Sequence, residues 1–169
     1  DDLKEDFANL ILDCPLPMSA GGQKVSFQTL IEETLQETCS IEAVINIHEK
    51  LNEMIVEHKE DPVPLTLDKE EVKTVFASSG VSNEKMELFD RCYDATAGEK
   101  TELVVNNVVN TRTFEVKMPD VVIKVNPERM DLVETKTIDG RECLVISLGN
   151  DVEVNGITVR RSFHEEERD

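Results

Sequence analysis

Apolar side chains recur every three to four positions through the first hundred residues and at alternate positions thereafter, with the change of period near Gly98. "LKEDFANLILDC" sets Leu3, Phe7, Leu10 and Ile11 on one helical face and stops at Pro15. "SFQTLIEETLQETC" repeats the spacing with Phe27, Leu30, Ile31 and Leu35, with Ser26 as its candidate N-cap. "SIEAVINIHEKLNEMIVEHK" opens on Ser40, a capping residue by type, and its apolar face is Ile41, Val44, Ile45, Leu51 and Ile55. Two prolines in "DPVPLTL" (Asp61 to Leu67) forbid a helix and predict an extended linker. Asp68 then caps "KEEVKTVFASS", which Gly80 ends, and Ser82 caps "NEKMELFDRCYDATA", which Gly98 ends.

Beyond Gly98, "FEVKM", "VVIKV", "DLVETKTI", "RECLVISL", "VEV" and "ITVR" read as strands. Asp139-Gly140 and Asn155-Gly156 are strong two-residue hairpin signals, because both loop positions need positive φ. With those loops fixed, Val133, Thr135, Leu144, Ile146 and Leu148 share one face, opposite Glu134, Lys136 and Arg141. Likewise Val152, Val154, Ile157 and Val159 oppose Glu153, Thr158 and Arg160. The expectation is that the apolar faces pack on the core and the charged faces meet water or a partner. Helices followed by strands predict an α+β fold: a helical region over 1–100, an antiparallel β region built from hairpins over 101–161, and a charged tail over 162–169.

Composition changes this picture in three ways. Aromatic residues are only 4% of the 169, with no tryptophan, so the core must rest on Leu, Ile, Val and Met. The net charge of −18 opposes the approach of nucleic-acid phosphates and anionic headgroups. Residues 1–100 alone carry 22 acidic and 9 basic side chains. No two of Cys14, Cys39, Cys92 and Cys143 form a C-x-x-C pair, and the expectation is reduced, mostly buried thiols of a cytoplasmic protein. No apolar stretch reaches membrane-spanning length. A start at Asp1-Asp2 rather than methionine is read as a portion of something longer.

Four motifs invite a chemical reading. In "PMSAGGQKVSF", Gly21, Gly22 and Lys24 suggest a phosphate loop, but Val25 stands where a P-loop needs Ser or Thr, and no strand precedes it. A turn joining two helices explains the same residues, and no nucleotide binding is expected. "HEKLN" lacks the second histidine of H-E-x-x-H at Asn52, and His58, ten residues beyond His48, faces elsewhere, so His48 reads as a structural histidine. "VKTVFASSGVSNEKMELF" has the turn of a DNA-binding helix pair. However, Phe76 occupies the place of a small residue, and Glu84, Glu87, Asp90 and Asp94 outweigh Lys85 and Arg91. A structural helical hairpin fits better. Asn106, Asn107, Asn110 and Arg112 cluster where helix gives way to strand, and Arg129 stands alone in "NPER". A cleft near these residues is the first place to look for a ligand, against the competing reading that they cap turns. No nucleophile–base arrangement is recognisable, and Tyr93 is the sole tyrosine.

"PLPMSAGGQKVSF", "IHEKLNEMIVEHK", "SSGVSNEKMELFD", "NVVNTRTFEVKMPDVVIKVNPERMDLVETKTIDG" and "VEVNGITVR" together resemble a family of uncharacterised bacterial proteins classed only as a domain of unknown function. Its members look longer at the N-terminus, so the chain resembles their C-terminal portion. The resemblance implies a bacterial, cytoplasmic origin and brings no activity or cofactor. The expected function is therefore a non-enzymatic structural or protein-interaction domain of a larger protein. Its partner would be another protein or the N-terminal part of its own chain, rather than nucleic acid or membrane. The alternative is a small-molecule-binding or enzyme accessory module with a cleft between the helical and β halves. No catalytic, cofactor-binding or metal-binding residue is assigned, no cofactor is expected, and the oligomeric state stays open.

Overall fold

The structure, a computed structural model, describes residues 17–160. The expected helix over Leu3 to Cys14, with Cys14 itself, and the charged tail lie outside the described residues. The fold is α+β, with helices first and antiparallel hairpins after. The chain divides into two compact units between Met130 and Asp131.

In the first unit, α1 runs over Ala20–Leu35 and α2 over Ile41–Glu57, joined by a single 3-10 turn over Gln36–Thr38. The Ser40 hydroxyl accepts from Ala43 N at 3.1 Å and starts α2 as its type predicts. Ser26 does not cap α1. The helix begins seven residues earlier, about two turns, with the Ser19 hydroxyl accepting from Gly22 N at 3.1 Å. Gly21 and Gly22 thus form the first helical turn rather than a loop. A Cβ on Gly22 would stand 2.9 Å from Met18 Cγ, so this turn closes because glycine leaves room for Met18. Ser26, freed from capping, donates to Thr96 O at 2.9 Å.

Helices α3 (Lys69–Ser78) and α4 (Asn83–Thr96) form the expected hairpin. Asp68 and Glu71 make a reciprocal capping box at the start of α3, and Ser82 caps α4. Gly80 and Gly98 end the two helices at φ +90 and +96, where a side chain would be strained. Lys69 pairs with Asp94 at 2.7 Å and Lys73 with Asp90 at 3.0 Å across the hairpin. The proline-rich linker finishes as strand β1 (Thr66–Leu67), paired antiparallel with β2 (Leu103–Val104). A short helix α5 (Val105–Val108) follows inside the region expected to be all β. The hairpin of β3 (Phe114–Lys117) and β4 (Val122–Val125) completes the described part of this unit.

The core of the first unit is aromatic at its centre despite the low aromatic content. Phe76 of α3 contacts Phe27 of α1 at 6.2 Å and Phe89 of α4 at 5.1 Å, both edge to face. Phe89 continues to Tyr93 at 5.8 Å. Leu30, Leu35, Ile47, Leu51, Leu103 and Val105 fill the space around these rings. On α2 the buried residues are Ile45, Ile47 and Leu51. Ile41, expected on that face, is 39% exposed because it stands in the first turn at the rim.

In the second unit, β5 (Val133–Ile138) pairs with β6 (Arg141–Ile146), and β7 (Val152–Val154) with β8 (Ile157–Val159). The register is the expected one: Val133 faces Ile146, Thr135 faces Leu144, and Val154 faces Ile157. Asp139 and Gly140 have φ 51 and 76, and Asn155 and Gly156 have φ 49 and 80, so both loop positions are left-handed in each turn. The expected burial does not follow. Val133 is buried, but Ile146 is 41%, Val154 54% and Ile157 68% exposed, and Leu148 is exposed too. Glu134 and Lys136 are exposed on the opposite face. Each sheet has two strands among the described residues, and residues 133–160 contain no helix to lie over them. A correct register therefore coexists with apolar faces that are only partly covered, since Leu144, Val152 and Val159 are half-buried.

This contrast predicts unequal costs of truncation. Phe76→Ala is expected to lower stability by about 3–5 kcal/mol, as deletion of a fully buried ring does. Ile157→Ala is expected to stay within about 0.5 kcal/mol of the parent, as surface changes do. Urea unfolding followed by helical circular dichroism measures the first, and the same unfolding followed by the amide NMR signals of β7 and β8 measures the second.

Candidate functional site

The glycine-rich start of α1 contributes a buried bracket and one exposed cation. Gln23 is buried, and its Oε1 accepts from Val104 N at 2.8 Å and from Asn107 Nδ2 at 3.3 Å. Its Nε2 donates to Met18 O at 3.3 Å. One amide thus ties α1 to β2 and α5 while satisfying groups removed from water. Lys24, the next residue, is exposed on the helix flank and has no ion-pair partner among the described residues.

Lys24 lines a hollow of about 240 Å³ with Asn106, Asn107, Asn110 and Arg112. The structure thus brings together the asparagine–arginine cluster and the lysine of the glycine-rich stretch, two signals that lie more than eighty residues apart in the sequence. Arg129 belongs to the turn over Pro127–Leu132 and does not line this hollow. The turn-capping reading of the asparagines holds in part. Asn110 Oδ1 accepts from Arg112 N at 2.9 Å and Thr113 N at 3.2 Å, and Asn126 Oδ1 accepts from Glu128 N at 3.0 Å. Because the Asn110 oxygen is occupied by two backbone donors, its NH₂ group is the end left to meet a ligand.

A second hollow of about 350 Å³ adjoins the first and shares Lys24, Val109 and Asn110 with it. Its apolar wall is Val44, Val108 and Phe114, and His48 and Asn52 line it from α2. The H-E-x-x-N spacing therefore places both polar side chains of α2 on one lining, one turn apart. His48 packs edge to face between Phe27 at 6.4 Å and Phe114 at 5.6 Å. Its Nδ1–H donates to the Val44 carbonyl at 2.9 Å, which leaves Nε2 without the proton in the neutral ring. Burial pushes the His48 pKa below its usual value, and the Val44 carbonyl opposes this only in part. His48 is thus neutral near pH 7. His58 lines a different hollow, beside Asp61 and Val63, so the two histidines do not converge. Among the described residues, no three of His, Cys, Asp and Glu come together as a metal-binding group.

Other ionisable groups serve the packing. The Tyr93 hydroxyl donates to the Thr101 carbonyl, and burial, reinforced by Asp68, Glu102 and Asp94, raises its pKa to about 12. Lys85 is buried and donates to Glu37 at 2.7 Å and to Gln36 at 3.2 Å, closing α4 onto the turn after α1. That hydrogen bond from Lys85 lowers the Glu37 pKa. The expectation of mostly buried thiols is corrected: Cys39 is exposed and Cys92 and Cys143 are half-buried, all three unpaired. Cys39 lies beyond the turn that ends α1, outside the core, and Cys143 sits on the charged face of β6.

A family described as a domain of unknown function (DUF4317) matches residues 1–157. The chain belongs to this family. No curated protein and no solved structure matches the chain. The family carries no assigned activity, so function rests on the geometry of the chain itself. Among the described residues, no helix is long and apolar enough to cross a membrane.

Sequence reasoning found the asparagine–arginine cluster, but it missed Gln23 as a buried bracket and Phe114 as the wall beside His48. Gln23 is polar at a position the helical period assigns to the core, and that mismatch was the available signal. Gln23→Ala is expected to cost about 1–3 kcal/mol, since Val104 N loses its acceptor in a buried setting. The His48 titration has a defined sign. The unfolded chain takes up its proton near pH 6.5, and the folded chain only at lower pH. The contribution is therefore complete above pH 6.5 and is lost as the pH falls below it. A His48→Phe variant should show a shallower loss of stability between about pH 7 and about pH 5 than the parent, measured by urea unfolding at each pH.

Proposed function

We propose that the chain is a non-enzymatic protein-interaction module of a larger bacterial cytoplasmic protein. The observation that carries this reading is the incomplete cover of the apolar faces of the two hairpins of the second unit, where Ile146, Val154 and Ile157 are exposed on correctly registered strands and Leu148, just past the end of one of them, is exposed as well. Isolated two-stranded hairpins are marginal in water, and an exposed row of β-branched and leucine side chains is stabilised when another surface covers it. The strands also keep free edges among the described residues, which an added strand can pair.

The partner is a polypeptide with an extended segment that alternates apolar and basic residues. Its apolar side chains would cover Ile146 and Ile157. Its basic side chains would meet a unit that carries six acidic and three basic residues over 131–160, in a chain of net charge −18. The same charge balance disfavours nucleic acid and anionic membrane as partners. Resemblance to family members with longer N-termini supports placing the module within a larger protein, and residues of that same protein are one source of the covering segment.

A photo-crosslinking residue placed at Ile157 or Ile146 in the native cell tests the proposal, with Thr158 as the control on the opposite face. The expected result is one discrete crosslinked species from both apolar positions and none from Thr158. Equal labelling from both faces, or no defined species from either apolar position, would contradict it.

A further inference from the structure

The adjoining hollows beside α1 have a chemistry of their own, independent of the hairpin face. Lys24 and Arg112 line the smaller one, and neither has an ion-pair partner among the described residues. The Asn110 NH₂ group is left to donate, because the amide oxygen is held by Arg112 N and Thr113 N. An ammonium, a guanidinium fork and an amide donor on one lining favour the oxygens of an acid group. The larger hollow continues from Lys24 and Asn110 onto Val44, Val108 and the ring of Phe114, a wall suited to an apolar or planar body. Together the two hollows fall within the range of roughly 300–1,000 Å³ common for small-molecule sites.

From this lining we infer that the groove between α1, α2 and the segment 106–115 is a binding site for a small carboxylic acid with an apolar or planar body. The carboxylate would sit between Lys24 and Arg112 and receive the Asn110 amide, with its body against Phe114 and Val108. Glu115 lines the larger hollow, and its carboxylate is 3.9 Å from Lys124. A negative group at that position opposes a multiply charged ligand, as does the overall charge of −18. A single carboxylate is therefore favoured over a phosphate monoester or a nucleotide. His48 is neutral at the same wall, so the body of the ligand meets no second cation there.

The test uses the full chain with benzoate, phenyl phosphate, inorganic phosphate and benzylamine, read by thermal shift and by the ring signals of His48 in NMR spectra. Benzoate should bind saturably, raise the melting temperature and move the His48 signals. Benzylamine, with the same ring and the opposite charge, should do none of these. Lys24→Met and Arg112→Gln should each weaken benzoate about tenfold, with the melting temperature of the free chain unchanged, because both residues are exposed. Phe114→Leu should weaken benzoate and leave any response to inorganic phosphate as it was. No saturable response to benzoate up to about 10 mM, a concentration that reveals a Kd near 1 mM, would overturn the site. So would equal binding of benzylamine, or benzoate binding indifferent to both cation substitutions. Tighter binding of phenyl phosphate than of benzoate would overturn the choice of a carboxylate.

Discussion

Six rings in continuous contact hold the first unit together: Phe114, His48, Phe27, Phe76, Phe89 and Tyr93, in spatial order. They come from β3, α2, α1, α3 and α4, so each of these elements contributes at least one ring. All four described phenylalanines and the sole tyrosine belong to this column. Ring pairs of this kind add about 0.5–1.5 kcal/mol each beyond the area they bury. The neutrality of His48 is part of the arrangement, since a charged imidazole between two phenyl rings would lose its hydration without gaining a counter-ion. At one end Tyr93 fixes the loop at Thr101, and at the other Phe114 forms the wall of the groove. The groove thus inherits its rigidity from the core.

Polar ties complement the rings where backbone groups lose water. Gln23 supplies the acceptor that Val104 N would otherwise lack, and Lys85 closes the turn after α1 through Glu37 and Gln36. The second unit has no comparable core. Its strands are in register, its turns are unstrained for Asp-Gly and Asn-Gly, and among its described apolar side chains only Val133 is buried while Ile146, Leu148, Val154 and Ile157 are exposed. Local chemistry fixes the hairpins, while burial, the term that stabilises most sheets, is supplied only when something covers them.

Much of this was legible in the sequence because it depends on local rules. Ser40, Asp68 and Ser82 cap helices, Gly80 and Gly98 end them, and two loop dipeptides set the hairpin registers, each through groups within a few residues. What the sequence did not reveal depends on distant neighbours. The glycines at 21 and 22 read as a loop, since nothing local announces that Met18 folds over Gly22 and that Ser19 caps the helix. The alternation in β5–β8 specifies which residues share a face but not whether anything covers that face. In the sequence Phe76 stands only as an obstacle between two helices, whereas the bulk that disfavours a DNA-binding helix pair is what joins Phe27 to Phe89. The site was half visible. Asn106, Asn107, Asn110 and Arg112 stood out as a polar cluster, while their meeting with Lys24 and the wall of Phe114 requires the tertiary fold.

The ring-centred unit has a buried core, and the hairpins of the second unit do not. Native-state amide hydrogen exchange on the isolated chain tests this difference most directly. The amides of α1, α3 and α4 are expected to exchange about a hundredfold or more slowly than those of β5–β8. Protection of β5–β8 equal to that of α1 and α4 would contradict it.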